Sequence, residues 1–340
     1  MLRIKSHLIL IPGIIVFAAC STTEAGKDYK LRVPSSFDSL PHVPDDNRLT
    51  RARIDLGRNL FFDPALSADG IISCGSCHKP DLAYADTVAV SAGVHGNLDF
   101  RNSPSLVNVA YRKTLFREGG VPSLELQMLA PLGNENEMGL NLQDAVAAMN
   151  RKKAYRILAD KGYGEPLTPL VMARALASFQ RSLVSSGSRY DAFLEGDINA
   201  LSSREKRGME LFYSEETACG SCHSGFLLAD GQFHNIGLYE TYSDRGRARL
   251  TMNPDDIGKM STPSLRNVAV TYPYMHDGSM ATLDEVLRHY NAGGNMHSNK
   301  DLRVRPLELS ADQLTDMKSF LQSLTDTVYT TASISHAKAL

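Results

Sequence analysis

Cys74-Gly75-Ser76-Cys77-His78 and Cys219-Gly220-Ser221-Cys222-His223 are the same five residues written twice, and their reading decides the fold. In a Cys-x-x-Cys-His string the two thiols, three positions apart, can each add to one vinyl group of a haem. The adjacent histidine then swings under the iron as proximal ligand. A zinc ribbon would bring its two cysteine pairs within about 15–20 residues, and a thioredoxin-like pair needs no following histidine; neither explains a histidine after both pairs. The spacing therefore predicts two covalent c-type haems, one on Cys74, Cys77 and His78, the other on Cys219, Cys222 and His223.

The two motifs use four of the five cysteines in the 340-residue chain, which leaves Cys20 and no pair for a disulfide framework. Ahead of Cys20, Arg3 and Lys5 give a positive start, and Leu8 to Ala19 an apolar run too short to span a bilayer. The run ends in Phe17-Ala18-Ala19-Cys20, similar to a bacterial lipobox, so residues 1–20 are predicted to be a lipoprotein signal peptide with Cys20 acylated. An ordinary cleaved signal peptide with a coincidental cysteine is the alternative. Either reading exports the chain; the first leaves it facing the periplasm, held to a bacterial membrane by its lipid alone. Residues 21–45, polar and carrying Ser35, Ser36, Pro41 and Pro44, read as a tether. A composition 43% apolar and 22% charged is that of a folded globular protein, and a formal charge of -2 offers no basic field to a nucleic acid.

Helical signals dominate, and no strong alternating strand pattern appears. Ser202–Glu205 and Thr282–Glu285 fit capping boxes, and Ser310–Gln313 opens a stretch with Leu314, Met317, Leu321 and Leu324 on one face. Leu170, Ala173, Leu176, Ala177 and Leu183 form a similar stripe. The halves also repeat each other. Each has Gly-x-x-Leu-Phe before its cysteine motif (Gly57 to Phe61, Gly208 to Phe212) and Pro-Ser-Leu-x-Asn-Val-Ala after it (Pro104 to Ala110, Pro263 to Ala269). Counting on from Asn108 and Asn267, a glycine follows eleven residues later (Gly119, Gly278), a leucine sixteen later (Leu124, Leu283) and an acid seventeen later (Glu125, Asp284). A duplicated helical domain is expected, with the junction where Ser185, Ser186, Gly187 and Ser188 interrupt the pattern.

With both haem motifs, the string Val90-Ser91-Ala92-Gly93-Val94-His95-Gly96 and the string Thr271-Tyr272-Pro273-Tyr274-Met275-His276-Asp277-Gly278, the chain resembles the bacterial di-haem cytochrome c peroxidase and MauG superfamily from about residue 46 to 330. The resemblance implies a mainly α fold of two tandem cytochrome c-like domains, each binding one covalent haem: residues 46–190 with the peroxidatic haem and 191–340 with the second. It also implies a calcium ion between them, carried over by motif to Asn102 of Arg101-Asn102-Ser103-Pro104 and to the backbone carbonyls of Thr271 and Pro273. Oxygen-only ligation suits that hard cation.

A haem that reacts with peroxide needs an open or displaceable sixth position, whereas a carrier haem wants both positions filled. Twenty-three residues beyond the matched asparagines stand Pro131 in the first half and Tyr290 in the second. Proline has no group to coordinate iron, so the first haem is predicted to be open and the second closed. In the family the equivalent proline lies over the reactive iron, and the position of Tyr290 supplies the axial ligand. Splitting the O–O bond also requires a proton to move from the inner to the outer oxygen, work for a nearby carboxylate. Glu137 matches the family's catalytic glutamate and Gln127 its distal glutamine. His95 matches the histidine that ligates the resting reactive haem in many members and is not so used in MauG-type ones.

The chain departs from the family pattern twice. Peroxidases of this family typically carry methionine where Tyr290 stands; an anionic phenolate stabilises ferric iron and resembles MauG, with Met275, Met280 and Met296 as nearby rival ligands. And there is no tryptophan at all, where the family's Phe-Trp-Asp-Gly-Arg string reads Phe116-Arg117-Glu118-Gly119-Gly120. The leading expectation is reduction of hydrogen peroxide with electrons from a small periplasmic cytochrome c or cupredoxin. The rivals are MauG-like oxidation of a partner protein and, from another class, a non-enzymatic di-haem electron carrier, which Pro131 and Glu137 argue against. A homodimer is usual among the peroxidases of the family.

Overall fold

The computed structural model describes residues 26–31, 33–37 and 39–330. The predicted signal segment 1–20 with Cys20, residues 21–25 of the predicted tether, and residues 331–340 lie outside the described residues. The fold is mainly α. The first half carries α1 (Arg51–Phe62), α2 (Cys74–Cys77), α3 (Leu124–Gln127), α4 (Leu129–Gly133), α5 (Leu142–Arg151), α6 (Lys153–Tyr163) and α7 (Pro169–Arg181). The second carries α8 (Arg189–Leu194), α9 (Ser203–Tyr213), α10 (Cys219–Cys222), α11 (Ala248–Thr251), α12 (Leu283–Ala292) and α13 (Ala311–Ser323). Two short strands, β1 (Phe233–His234) and β2 (Met260–Ser261), pair antiparallel. Among the described residues, no helix is long and apolar enough to cross a membrane.

The helix starts are capped by side chains that accept otherwise unpaired N–H groups. Ser202 Oγ accepts from Glu205 N at 3.3 Å while Glu205 Oε2 accepts from Ser202 N at 2.8 Å. Thr282–Glu285 and Ser310–Gln313 close in the same way. Met317, Leu321 and Leu324 are buried as their spacing requires. Leu170, expected on the buried stripe of α7, is 53% exposed. That helix is almost wholly buried from Val171 onward, so Leu170's place in the first turn, not its face, decides its exposure.

The repeated residues are those that let the halves pack alike. In each half the helix before the haem motif crosses the last long helix, α1 on α7 and α9 on α13. A Cβ at Gly57 would lie 1.9 Å from Ala175 O and 2.9 Å from Phe179 Cβ; one at Gly208 would lie 2.0 Å from Asp316 O and 2.9 Å from Phe320 Cβ. Around these crossings lie two apolar interiors, one with Leu56, Phe61, Met172 and Phe179, the other with Phe212, Leu287, Met317 and Phe320. Gly57→Ala and Gly208→Ala are each expected to destabilise the fold by about 1–3 kcal/mol through overpacking; chemical denaturation checks this through a lowered midpoint.

Asn108 and Asn267 are also explained. Both are buried in the left-handed region, at φ 58° and 63°, which asparagine tolerates better than most residues. Asn108 N donates to Leu183 O at 2.7 Å and Asn267 N to Leu324 O at 3.0 Å, pinning each loop to the chain leaving the last helix. Gly119 and Gly278 turn at φ 78° and 70° and press across the seam, where a Cβ would lie 2.4 Å from Phe233 Cζ and 2.5 Å from Ala89 Cα respectively.

The halves meet over hydrogen-bonded and charged contacts. Arg101 pairs with Asp244 at 2.8 Å, Ser261 N donates to Arg117 O at 2.7 Å, and Asp326 Oδ2 accepts from Ser186 N at 3.0 Å and Gly187 N at 2.9 Å. The described part of the predicted tether lies on this body. Tyr29 N donates to Leu49 O at 2.7 Å, Ser36 N to Glu195 at 2.9 Å, and Phe37, 6% exposed, packs against Tyr111 of one half and Phe226 of the other. One aromatic residue, inserted between two rings, docks an otherwise polar segment.

Candidate active site

Both Cys-Gly-Ser-Cys stretches form a single helical turn, α2 and α10, which puts residues three apart on one face. The thiols of each pair are near enough to raise one another's pKa, and burial pushes Cys74 up to about 12. No disulfide joins the four described cysteines. The glycine inside each turn is needed by packing: a Cβ at Gly75 would lie 2.3 Å from Phe62 Cδ1, and at Gly220 2.6 Å from Tyr213 Cδ1. His78 Nδ1 lies 2.9 Å from Tyr84 O, and His223 Nδ1 2.9 Å from Leu228 O. A ring that donates Nδ1–H to a carbonyl keeps the Nε2 lone pair for a metal. Burial lowers both histidines' pKa, which favours the neutral, ligating form. Paired thiols beside a buried neutral imidazole fit covalent haem at both positions.

Near the first motif, Met128 in α conformation joins α3 to α4, so Gln127 and Pro131 stand one turn apart. Pro131 O accepts from Met138 N at 3.1 Å, which folds the following loop back and brings Glu137 beside the proline. Asn134 Nδ2 donates to Glu137 Oε1 at 2.8 Å and to Asp99 Oδ2 at 3.1 Å. Burial raises the Glu137 carboxyl above its ordinary value; the Asn134 amide opposes this and neighbouring Asp99 reinforces it. The Glu137 charge in turn acts on both Cys74 and Cys77, so the carboxylate lies in the neighbourhood of the first motif. Val94 N donates to Glu137 O at 2.8 Å, clipping the Val90–Gly96 string to this loop. His95, at φ 59°, is exposed, and its backbone N–H donates to Asp69 Oδ2 at 3.1 Å.

The second motif opens onto a cavity of about 230 Å³ lined by Cys219, Cys222, His223, Tyr290, Leu283 and Leu287, with Met275 at its edge. Burial and the two thiols raise the Tyr290 phenol well above its ordinary value. The rival methionines separate: Met296 is 77% exposed and Met280 is not among the lining residues, which leaves Met275 alone beside Tyr290. Cys222, Asp230 and His234 offer ligand atoms within 4.8 Å of one another. Both His234 ring nitrogens are engaged, by Asp230 and Asp301 at 2.8 Å each, so that imidazole is not free for a metal.

A second space of about 280 Å³ lies in the cleft between the halves, and Asn102, Thr271 and Pro273 all line it. Asn102 is buried, with its backbone N–H on His276 O at 2.8 Å. The oxygens these residues bring to one cleft suit a hard cation. Sequence reasoning missed Asp99 and Asn134, which hold Glu137. Asn134 lies three residues before Glu137, a spacing that signalled the contact; Asp99 lies in a distant loop with no motif.

A sequence profile of di-haem cytochrome c peroxidase matches residues 51–199. The chain is 35% identical to cytochrome-c peroxidase IdrP1 of Denitromonas iodatirespirans, over 93% of this chain and 92% of that one. It is 34% identical to methylamine utilization protein MauG of Methylorubrum extorquens, over 90% and 88%. Among solved structures, a MauG-like protein associated with microbial copper homeostasis superposes with a TM-score of 0.87 at 33% identity, covering 92% of this chain and 99% of that one. With paired haem motifs, a partly buried carboxylate near the first and relatives aligned along nearly their whole length, this chain belongs to the di-haem cytochrome c peroxidase family, oxidoreductases that carry two c-type haems and act on peroxide.

Proposed function

We propose that hydrogen peroxide is reduced at the haem held by Cys74, Cys77 and His78, with Glu137 as acid–base and Gln127 as hydrogen-bond donor to the bound peroxide. The observation that carries this is the partly buried Glu137 carboxylate, held by Asn134 on a loop folded back onto Pro131 and near enough to the first motif to act on both its thiols. When bound, the haem supplies the redox iron at which the O–O bond is cleaved, two electrons coming from a donor protein. Glu137 takes the proton from the inner peroxide oxygen and returns it to the outer one, which leaves as water; two further protons, taken up with the two donor electrons, complete the second water. Asn134 fixes the carboxylate at 2.8 Å, and Asp99, half-exposed on the same amide, links it to solvent. Pro131 supplies no ligand, so the site stays open to peroxide. His95, being exposed, is left out of the proposed ligand set.

A second haem would be held by Cys219, Cys222 and His223, and Tyr290, which lines the same cavity, would supply a further ligand to its iron. Cyanide titration of the diferric protein tests the division of labour: one equivalent bound per chain is expected. Binding of none would favour a pure electron carrier, and binding of two would exclude Tyr290 as a ligand. Tyr290 also supports a second reading, MauG-like oxidation, in which the two electrons come from residues of a partner protein and not from a small cytochrome c or cupredoxin donor. Calcium is assigned to Asn102, Thr271 and Pro273. Chelation should lower turnover by at least about tenfold, as loss of a metal's supporting shell does elsewhere, and added calcium should restore it. Export to the periplasm with a lipid on Cys20 completes the proposal.

A further inference from the structure

Two arginines in the cleft between the halves have no ion-pair partner among the described residues. Arg117 lines both the 280 Å³ cleft and the 230 Å³ cavity of the second motif, and Arg112 lines the cleft beside it. The Arg117 Nε is wholly buried without a hydrogen-bond partner. Arg112 donates to Ser261 Oγ at 2.6 Å, a neutral oxygen. Among the described ion pairs neither guanidinium has a carboxylate.

The surrounding charges are already committed. Glu118 pairs with Arg101, Asp277 accepts from the Tyr239 hydroxyl, Asp230 is held by His234 at 2.8 Å, and Arg266 is paired with Asp191 at 2.8 Å. Arg112 and Arg101 act on Arg117 as like charges. Neighbouring cations withdrawn from water are unfavourable until an anion joins them. The planar fork of an arginine is matched by a carboxylate, bound through parallel N–H donors.

We infer that Arg112 and Arg117 form a carboxylate-binding site for the propionate groups of the haems, Arg117 holding that of the second haem, whose cavity it lines. This rests on the two-haem reading and deepens it. A cation fixed beside a propionate favours the reduced haem over the ferric one, so the pair acts on the second haem's potential. It also reconciles the cleft's contents: Asn102, Thr271 and Pro273 offer uncharged oxygens, and propionates supply the negative charge that lets a divalent cation share the cleft with two guanidiniums. Arg117 stands where an aromatic relay would otherwise stand, so the position serves charge balance.

Spectroelectrochemical titration of the holoenzyme tests this, with pyridine haemochrome counts on each variant. Two haems per chain, a lower midpoint potential for the second haem in Arg117→Gln and near wild-type behaviour in Arg117→Lys are expected; Arg112→Gln should shift the same way. An unchanged potential in Arg117→Gln at two haems per chain would overturn the site, as would an equal shift in Arg117→Lys, which a merely structural role produces. A wild-type potential that moves with added sulfate would assign the pair to a free anion and overturn the propionate. Fewer than two haems in the wild type would overturn the two-haem reading itself.

Discussion

Glu137→Gln lowers kcat/KM for hydrogen peroxide by about 10²–10⁴-fold, the share a positioned acid–base contributes, with both haems still attached. Glutamine keeps the length of the side chain and can accept from Asn134 Nδ2 as Glu137 Oε1 does at 2.8 Å. It cannot take a proton. Steady-state kinetics with a reduced cytochrome c donor check the loss, and unchanged haem content separates it from misfolding. The pH dependence follows with a definite sign. The working form is the carboxylate, and burial with nearby Asp99 raises its pKa above the ordinary 4.5. Activity should therefore fall as pH drops through that raised value, and the acid limb should lie above the usual glutamate range. Asp99→Asn removes the like charge and should move the limb to lower pH.

Tyr290→Met raises the potential of the second haem by on the order of several hundred mV, inside the roughly 0.8 V range that axial ligands command. A phenolate stabilises ferric iron, whereas thioether ligation raises the potential. The phenol's pKa is raised by burial, so it stays protonated until a cation stands against it, and ferric iron is such a cation. The variant should react with peroxide only after the second haem has been reduced, whereas the parent reacts in the diferric state. Redox titration checks the first effect and rapid mixing the second. An unshifted potential would remove Tyr290 from the ligand set and turn attention to Met275, one of the methionines that line its cavity.

Much of this was legible in the residues because the chain contains its own comparison. Gly57 with Gly208 recur in matching strings, Asn108 with Asn267 and Gly119 with Gly278 at fixed spacing, and each pair turns out to occupy a contact that tolerates no side chain or needs a left-handed turn. The same register set Pro131 against Tyr290. Contacts that occur once had no such signal. Phe37 docks a segment whose composition reads as tether, since burial of one ring between Tyr111 and Phe226 leaves no periodicity. Asp99 comes to Glu137 from a distant loop and shares the Asn134 amide with it. Arg117 reads as a lost tryptophan in sequence, and only the structure places it on both the cleft and the cavity of the second motif. Leu170 follows the helical period and is exposed because the helix begins there.

The most direct measurement is stopped-flow absorbance of the as-isolated diferric protein mixed with one equivalent of peroxide, followed by reduced cytochrome c, in the parent and in Glu137→Gln. The expected result is rapid loss of the ferric bands in the parent, their return as cytochrome c is oxidised, and a strongly slowed first phase in Glu137→Gln. Ferric bands unchanged by peroxide in both the diferric and half-reduced parent, with no cytochrome c oxidised, would contradict peroxide reduction at the first haem.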